Sequence, residues 1–252
     1  VVTKMPRWTF EKFPEADETL TTQMKSVGEA MAIGRTFKES LQKVIRSMEV
    51  KRFGFGLDKQ DLWLRAERGQ ELPDGETWPI ADEKLVRKLA VPSQGRLYYV
   101  RYALKMGWTI ERIYELTKID RFFLDQFQQL VEFEDELLAA SSKDDMPCET
   151  LQRAKQLGYS DAQLANILLG DITTDAILDI RRWRQSHHVE PVFKLVDTCA
   201  AEFDAVTPYF YSTYESAYSD NDQRITDDEI RVTDAKKILI LGGGPNRIGQ
   251  GI

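Results

Sequence analysis

Two stretches of the sequence repeat one pattern, and this repeat decides the predicted fold. They read "YALKMGWTIERIYELTKID" at residues 102–120 and "RAKQLGYSDAQLANILLGD" at residues 153–171. When the two are superimposed, Gly107 falls on Gly158, and each glycine is followed by an aromatic residue and then by Thr or Ser. Apolar residues recur at helical spacing on both sides of the glycine. The pattern predicts a helix, a short turn and a second helix, used twice.

Each position in the shared turn has a physical role. The glycine can adopt the left-handed backbone conformation that commonly ends a helix. Thr109 in the first copy and Ser160 in the second can cap the next helix, and Ser160 with Gln163 is predicted to form a capping box. The aromatic residue before the cap, Trp108 or Tyr159, can pack on the helix that follows.

A further helix follows each hairpin. Asp120 predicts the N-cap of the first and Thr174 the N-cap of the second. Two three-helix units in series are therefore predicted, over about residues 96–140 and 150–188, with the polar stretch "SSKDDMPCE" between them. The apolar residues at helical spacing in these two helices are Phe123, Phe127, Leu130, Val131, Leu137 and Leu138, and then Ile177, Ile180 and Trp183.

The sequence before the repeat contains one clear helix. Thr36 and Glu39 predict a capping box at its start. From residue 53 to residue 82, Gly and Pro interrupt the chain every few residues, so short elements and loop are predicted there. The apolar positions that give the helix one buried face are Leu41, Val44, Ile45 and Met48.

The end of the sequence changes character. The acid-rich, turn-forming residues 219–235 are typical of an exposed connector, and residues 236–241 then predict a short apolar strand. The strand leads into "GGGPNRIGQG", a glycine-rich loop of the kind that begins a nucleotide-binding α/β domain. Pro245 removes a backbone donor, and the glycine spacing is not that of a dinucleotide fingerprint. The predicted fold class is mainly α, with a short α/β strand-loop segment at the C-terminus.

Composition narrows the functional classes. With 42% hydrophobic and 30% charged residues, the 252-residue chain has an ordinary globular composition. Its net charge of −7 argues against a nucleic-acid-binding surface, and its apolar runs are shorter than the roughly 20 residues of a membrane span. Cys148 and Cys199 lack neighbours at zinc-ligand spacing, so no metal site is predicted and a reduced, cytoplasmic setting is expected. His187 and His188 are adjacent and point in different directions.

No catalytic arrangement is visible in the residue pattern itself. One alternative is a helix-turn-helix module for nucleic acid, since the predicted helix after Gly170 ends in Arg181, Arg182 and Arg184. The same helix carries Asp175 and Asp179, which would repel phosphates. A free-standing nucleotide-binding protein, built on the glycine-rich loop, is the other alternative.

Six segments, in order along the chain, resemble the large subunit of carbamoyl phosphate synthetase. Because this resemblance covers most of the chain, and because the sequence opens at "VVTKMPRWTF" without an initiator Met or a leader pattern, we expect a central fragment of a longer enzyme. The segments are "VVTKMPRWTFEKF", "LTTQMKSVGEAMAIGRT", "YELTKIDRFFL", "EPVFKLVDTCAAEF", "YFYSTYE" and "ILILGGGPNRIGQGI".

The resemblance implies a division of the chain. In that family two ATP-grasp halves flank a helical oligomerisation domain. It implies that residues 1–50 end the first half, 51–81 form an irregular connection, 82–202 form the oligomerisation domain, 203–235 form a connector, and 236–252 begin the second half. The intact enzyme makes carbamoyl phosphate from bicarbonate, glutamine-derived ammonia and two ATP, with Mg²⁺ or Mn²⁺, and serves arginine or pyrimidine synthesis.

The resemblance also implies partners and site residues. It implies self-association through the helical units and, for the intact enzyme, a glutaminase small subunit or domain. No cofactor or catalytic residue is expected for the fragment, because the family's ATP sites lie within the two halves. Neither a nucleic acid nor a membrane is expected as a partner, given the net charge and the short apolar runs. In the family the glycine-rich loop borders an internal passage for intermediates, which implies that Arg247 and Gly251 line it. The loop glycines themselves are Gly242, Gly243, Gly244 and Gly249.

Overall fold

The protein is described by a computed structural model of the 252-residue chain. The fold is mainly helical, as the sequence predicts. Among the described residues, none of the helices combines the length and the apolar composition that a membrane span requires. The structure describes residues 1–200 and, after them, 202–204, 206–207, 209–215, 218–220, 223–225, 228–230 and 232–239.

The helices follow one another closely along the chain, with short turns between most of them. Neighbouring helices pack in pairs, most extensively the last two. The helices are α1 (Phe37–Ser47), α2 (Leu62–Glu67), α3 (Asp82–Ala90), α4 (Arg96–Lys105), α5 (Ile110–Thr117), α6 (Arg121–Leu138), α7 (Cys148–Gln156), α8 (Asp161–Leu169) and α9 (Thr174–Ser186).

The strands of the described residues form three small antiparallel pairs. In the first pair Val2 lies opposite Ile33, and α1 packs across this hairpin. A single 3₁₀ turn, Phe10–Lys12, lies between its two strands. The pairs are β1 (Val2–Arg7) with β2 (Gly28–Ile33), β3 (Val192–Leu195) with β4 (Phe210–Thr213), and β5 (Tyr218–Asp220) with β6 (Gln223–Ile225).

Helix α1 begins at the predicted N-cap, but its capping box is only half formed. The Thr36 hydroxyl accepts a hydrogen bond from the Glu39 N–H at 3.2 Å. The Glu39 carboxylate accepts from the Arg35 N–H at 2.7 Å rather than from the backbone of Thr36. The reason is competition, since the same carboxylate also binds Lys43 and Thr213. The predicted apolar face of α1, Leu41 to Met48, is buried.

Both copies of the predicted turn have the same backbone geometry. Gly107 has φ of 78° and Gly158 has φ of 90°, so both glycines adopt the left-handed conformation. In each copy the next residue donates back to the helix before it, from Trp108 N–H to the Ala103 carbonyl oxygen and from Tyr159 N–H to that of Ala154, both at 3.0 Å. The repeat in the sequence is therefore a repeat in the structure.

The caps of the repeated hairpins are confirmed, and one further cap differs by a residue. Thr109 accepts from the Arg112 N–H, and Ser160 forms the predicted capping box with Gln163. Asp120 caps α6 as predicted. The prediction that Thr174 caps α9 is wrong, because the preceding Thr173 takes this position and accepts from the Ala176 N–H at 3.2 Å. Two adjacent threonines offer the same chemistry, and the sequence alone does not separate them.

One continuous core joins the two helical units and the segment before them. Phe55 and Leu57, from the stretch predicted to be short elements and loop, are 1% and 0% exposed. That stretch contains the short helix α2, so the prediction of short elements is confirmed. The units meet where the Tyr159 hydroxyl donates to the Leu130 carbonyl oxygen at 2.8 Å. The segment 51–81 thus contributes directly to the packing of the repeated helices.

Candidate functional site

The glycine-rich loop predicted from the sequence lies outside the described residues. This holds for Gly242, Gly243, Gly244, Arg247, Gly249 and Gly251 alike. The described part of the predicted strand before it, residues 236–239, carries no regular secondary structure. Ile238 and Leu239 are exposed there, and no other described strand pairs with them. A strand forms only with a hydrogen-bonded neighbour, which explains the difference from the prediction.

The titratable residues do not form a metal centre in the part of the chain that the structure describes. There, no group of three or more His, Cys, Asp and Glu side chains is placed to hold an ion. Cys148 and Cys199 are both free thiols. Among the charged side chains that converge, two clusters lie beside the repeated hairpins, one at each.

The first cluster surrounds Arg101 of α4, which is 0% exposed. Its guanidinium donates to the Glu134 carboxylate at 2.8 and 2.7 Å through two N–H groups, and to Asp61 at 2.9 Å through a third. Lys105 adds a contact to Glu134 at 3.1 Å. Gly56 lies so close that a Cβ there would stand 2.2 Å from the Arg101 Cζ. Two cations face the two buried carboxylates, so the buried part of the cluster is electrically balanced, and Lys105 also contacts the exposed Asp135 at 3.2 Å.

Asp61 explains how an irregular segment holds this arginine in place. Its carboxylate caps α2 by accepting from the Trp63 N–H at 3.2 Å, and it also accepts from the Leu57 N–H at 2.8 Å. Burial alone would lower the pKa of Arg101, but the carboxylates of Asp61 and Glu134 raise that pKa well above its usual value. The arginine therefore stays charged and ties α2, α4 and α6 together.

The second cluster lies at the turn between α7 and α8. Lys155 donates to the Asp161 carboxylate and to the Tyr159 carbonyl oxygen, both at 2.7 Å. Arg184 of α9 donates to the same Asp161 at 3.0 Å. Arg46 of α1 reaches the turn from the other side and donates to the Gly158 carbonyl oxygen at 2.7 Å. Three cations thus surround one carboxylate.

The pKa values of this second cluster reflect burial and the shared carboxylate. Burial lowers the pKa of Lys155 to about 8, although Asp161 acts in the opposite direction. Burial would raise the pKa of Asp161, but Lys155 and Arg184 hold it below its ordinary value. Burial also lowers the pKa of Arg46. An amine with a pKa near 8 is an unusual group to bury beside two guanidinium groups.

A larger groove separates the β1–β2 hairpin from the start of α4. It has a volume of about 740 Å³ and is lined in part by Arg7, Arg52 and Arg96. Arg52 is committed to structure, because it lies 2.9 Å from Asp58 and stacks on the Tyr98 ring at 4.0 Å. The groove is therefore a gap between the hairpin and the helical units rather than an assembled site.

Sequence reasoning missed both clusters, although one signal was present. Glu134 falls on the apolar stripe of α6, three residues after Val131 and three before Leu137, and is 0% exposed. A carboxylate on a buried face requires a cation beside it. Arg101 is flanked by the buried Val100 and Tyr102 on α4 and could have been paired with it.

The geometry of α8 and α9 also bears on the helix-turn-helix alternative. Arg184, one of the three arginines proposed for phosphate contact, is buried against Asp161. Asp179 forms an ion pair with Lys143, and Asp175 is exposed on the same helix. The helix carries acid in its first half and arginine in its second half rather than one basic face, which is unfavourable for duplex binding.

Together these features define a helical domain in which buried ion pairs hold the helices together. The chain belongs to the carbamoyl-phosphate synthetase large chain family: the model of that family's oligomerisation domain matches residues 29–188. This match supports the oligomerisation prediction over the helix-turn-helix alternative.

Individual relatives agree along the whole chain. The chain is 51% identical over its full length to the carbamoyl phosphate synthase large chain of Rhodopirellula baltica, of which it covers 21%. It is 46% identical to that of Archaeoglobus fulgidus, of which it also covers 21%. It is 47% identical to that of a Nostoc species, of which it covers 20%. The chain thus spans about a fifth of the length of the curated relatives that it matches.

Proposed function

We propose that the chain is the central connecting and oligomerisation segment of a carbamoyl phosphate synthetase large chain. The observation that carries this proposal is the oligomerisation-domain match over residues 29–188. Full-length identity to relatives of which the chain spans about a fifth supports the central position. The segment would join two synthetic halves and present a surface to a second copy.

The division of the chain is part of this proposal. Residues 1–50 would close the first ATP-grasp half, and residues 82–202 would form the oligomerisation domain. The β1–β2 hairpin and the continuous helical core give this division a physical basis, with the segment 51–81 as the packed connection. Residues 203–235 would lead to residues 236–252, the first strand and glycine-rich loop of the second half.

The intact protein would make carbamoyl phosphate from bicarbonate, glutamine-derived ammonia and two ATP, for arginine or pyrimidine synthesis. Ammonia would come from a glutaminase subunit or domain. A cytoplasmic location is supported by the free thiols Cys148 and Cys199, since oxidising compartments favour disulfides.

The described residues do not fit ATP with Mg²⁺ or Mn²⁺. Such a site needs carboxylates that converge on the ions, and the described part of the chain contains no such group. Phosphoryl transfer would take place in the two synthetic halves. Arg247 and Gly251 would border the passage between the two halves in the intact enzyme, with the loop glycines leaving room for it.

Self-association is supported by apolar side chains that the helical units leave exposed. Phe122 and Phe123 project from the first turn of α6, and their exposed fractions are 57% and 39%. Leu169 and Leu178 are similarly exposed in the second unit. Exposed apolar groups of this kind are common where a second protein surface packs. The expected partner is another copy of the same chain.

An activity assay tests the assignment of chemistry. The 252-residue chain, supplied with ATP, Mg²⁺, bicarbonate and ammonia, should form no carbamoyl phosphate, whereas an intact large chain of the family should form it under the same conditions. Formation of carbamoyl phosphate by the 252-residue chain alone would contradict the proposal.

A further inference from the structure

A pocket of about 330 Å³ lies where α1, the α7–α8 turn and β4 meet. Arg46, Lys155 and Tyr214 line it, together with the first turn of α8. The pocket is separate from the Arg101 cluster, none of whose members line it. It is large enough for a small polyatomic ion with room to spare.

The charges around this pocket do not balance. Lys43 is paired with Glu39 at 2.7 Å. Asp161 serves both Lys155 and Arg184, as described above. Within the described residues, Arg46 has no carboxylate partner and donates only to the Gly158 carbonyl oxygen. Lys43, Arg46 and Lys155 line the pocket with the two carboxylates, and Arg184, which contacts Asp161 from outside the lining, brings the local excess to two positive charges in a chain whose net charge is −7.

An excess of buried charge is costly unless a counter-charge compensates it. Solvent reaches the half-buried Arg46 only in part, and burial lowers its pKa. Lys155 is only 5% exposed, so water solvates its ammonium group poorly. A dianion in the pocket would remove this excess, and a neutral ligand would not.

Several N–H groups that line the pocket have no hydrogen-bond acceptor among the described residues. Arg46 uses one guanidinium nitrogen for Gly158, and the rest of its planar fork has no described partner. Lys155 has three N–H groups and two acceptors, Tyr159 and Asp161. The Tyr214 side chain also lines the pocket, and its ring centroid lies 5.2 Å from the ammonium of Lys155.

The backbone adds to this donor set. Residues 160–162 form the N-cap and first turn of the nine-residue helix α8 and line the pocket. The N-terminus of a helix carries partial positive charge and favours an anion. An arginine fork, an ammonium group and a helix N-terminus are the groups that most often bind phosphate oxygens.

We propose that the pocket bounded by Arg46, Lys155 and Tyr214 is a binding site for a small divalent oxyanion of the phosphate class. The anion would accept from Arg46 and Lys155 and would neutralise the excess charge at the α7–α8 turn. By bridging α1 to α7 and α8 it would tighten the contact between the N-terminal segment and the second helical unit.

Titration of the ¹⁵N-labelled 252-residue protein with inorganic phosphate tests this site, at fixed ionic strength with chloride as the balancing anion. The expected result is saturable shifts of the backbone amide signals of residues 158–162, with binding in the millimolar range or tighter. Acetate, a monovalent oxyanion, should bind at least about tenfold more weakly, because it neutralises only one of the two excess charges.

Variants separate this site from a general effect of salt. Arg46→Gln should weaken phosphate binding at least about tenfold, since it removes the fork and one positive charge. Arg87→Gln, which changes an exposed arginine on α3, should leave phosphate binding unchanged. Tyr214→Phe, which removes only a hydroxyl, should weaken it by a few-fold and serves as the second variant if Arg46→Gln fails to fold.

Three results would overturn the proposal. They are the absence of saturable shifts up to about 10 mM phosphate, shifts centred elsewhere in the chain, and a folded Arg46→Gln variant that binds as the unaltered protein does. The first two are read from the unaltered protein and need no variant. Because the titration follows individual amides, its outcome does not depend on whether the chain self-associates.

Discussion

The two repeated hairpins share a turn but differ in what surrounds it. Gly107 is exposed, and a Cβ placed there would meet nothing within 4 Å. Gly158 is buried, and a Cβ there would stand 2.9 Å from the Glu39 Cα. The first unit encloses a balanced charge cluster, whereas the second leaves positive charge in excess. The local sequence therefore determines the backbone conformation of the turn. The residues packed against the turn determine whether it can accept a side chain and which charges surround it.

Breaking the balanced cluster should have the largest effect. Arg101→Met would leave Asp61 and Glu134 buried with only Lys105 to compensate them, which should reduce the free energy of unfolding by about 3–5 kcal/mol. Urea denaturation followed by circular dichroism measures this change. Arg153→Met is the matched control, since Arg153 and its partner Glu136 are both exposed, and it should cost at most about 1 kcal/mol. Equal losses in the two variants would show that the Arg101 cluster is not a structural tie.

Alanine at the two glycines compares the turns directly. Gly107→Ala should cost about 1–2 kcal/mol, the usual price of a left-handed conformation for a residue with a side chain. Gly158→Ala has the same cost and also forces a methyl group against the backbone of α1, which adds about 1–3 kcal/mol. Thermal unfolding of both variants under one set of conditions measures the difference. A larger loss of stability in Gly107→Ala than in Gly158→Ala would contradict this prediction.

The second cluster should make stability depend on pH. The pKa of Lys155 is about 8 in the folded protein and near the ordinary lysine value of 10.5 in the unfolded chain, so the unfolded chain binds more protons between these two pH values. The free energy of unfolding should therefore rise with pH above 8, by on the order of 2–3 kcal/mol at pH 10. Arg101, whose pKa is raised, stays charged over the same range and gives no such slope.

Lys155→Met should abolish most of this rise, as measured by urea denaturation at pH 8, 9 and 10. The exposed Lys4, which pairs with the exposed Glu29, provides the control variant Lys4→Met. A flat profile in the unaltered protein, or an unchanged slope in Lys155→Met, would mean that Lys155 is not an unfavourably buried ammonium group. Above pH 10 the buried tyrosines, whose pKa values burial raises, act in the opposite direction.

The helix caps should give the smallest difference. Thr109→Ala removes one hydrogen bond to a backbone N–H and should cost about 0.5–1 kcal/mol. Ser160→Ala removes the hydroxyl half of the capping box and a bond to the Phe53 carbonyl oxygen at 3.0 Å, and should cost about 1–2 kcal/mol. Chemical denaturation resolves these values if both variants are compared with the unaltered chain in parallel. A larger loss for Thr109→Ala would reverse the expected order.

The turns and caps could be predicted because they depend on neighbouring residues. Gly158, Ser160 and Gln163 lie within one turn of each other, and their geometry follows from residue type. The same holds for Asp120 at the start of α6. Where two equivalent residues adjoin, as at Thr173 and Thr174, local chemistry did not determine which of them is the cap.

The charge clusters could not be predicted in the same way, because their members are far apart in sequence. Asp61, Arg101 and Glu134 meet only after α2, α4 and α6 have packed. Arg46 and Gly158 form a hydrogen bond, although the whole first helical unit separates them in the sequence. Buried charge on an apolar stripe, as at Glu134, was the available signal, and it indicates that a partner exists without naming it.

The claim that this chain is an oligomerisation segment is tested most directly by its mass in solution. Light scattering after size exclusion, over a wide concentration series, should give a discrete species of twice the 29.0 kDa chain mass or a higher multiple. A mass of 29.0 kDa at every concentration would contradict the claim that the helical units of this chain carry self-association by themselves.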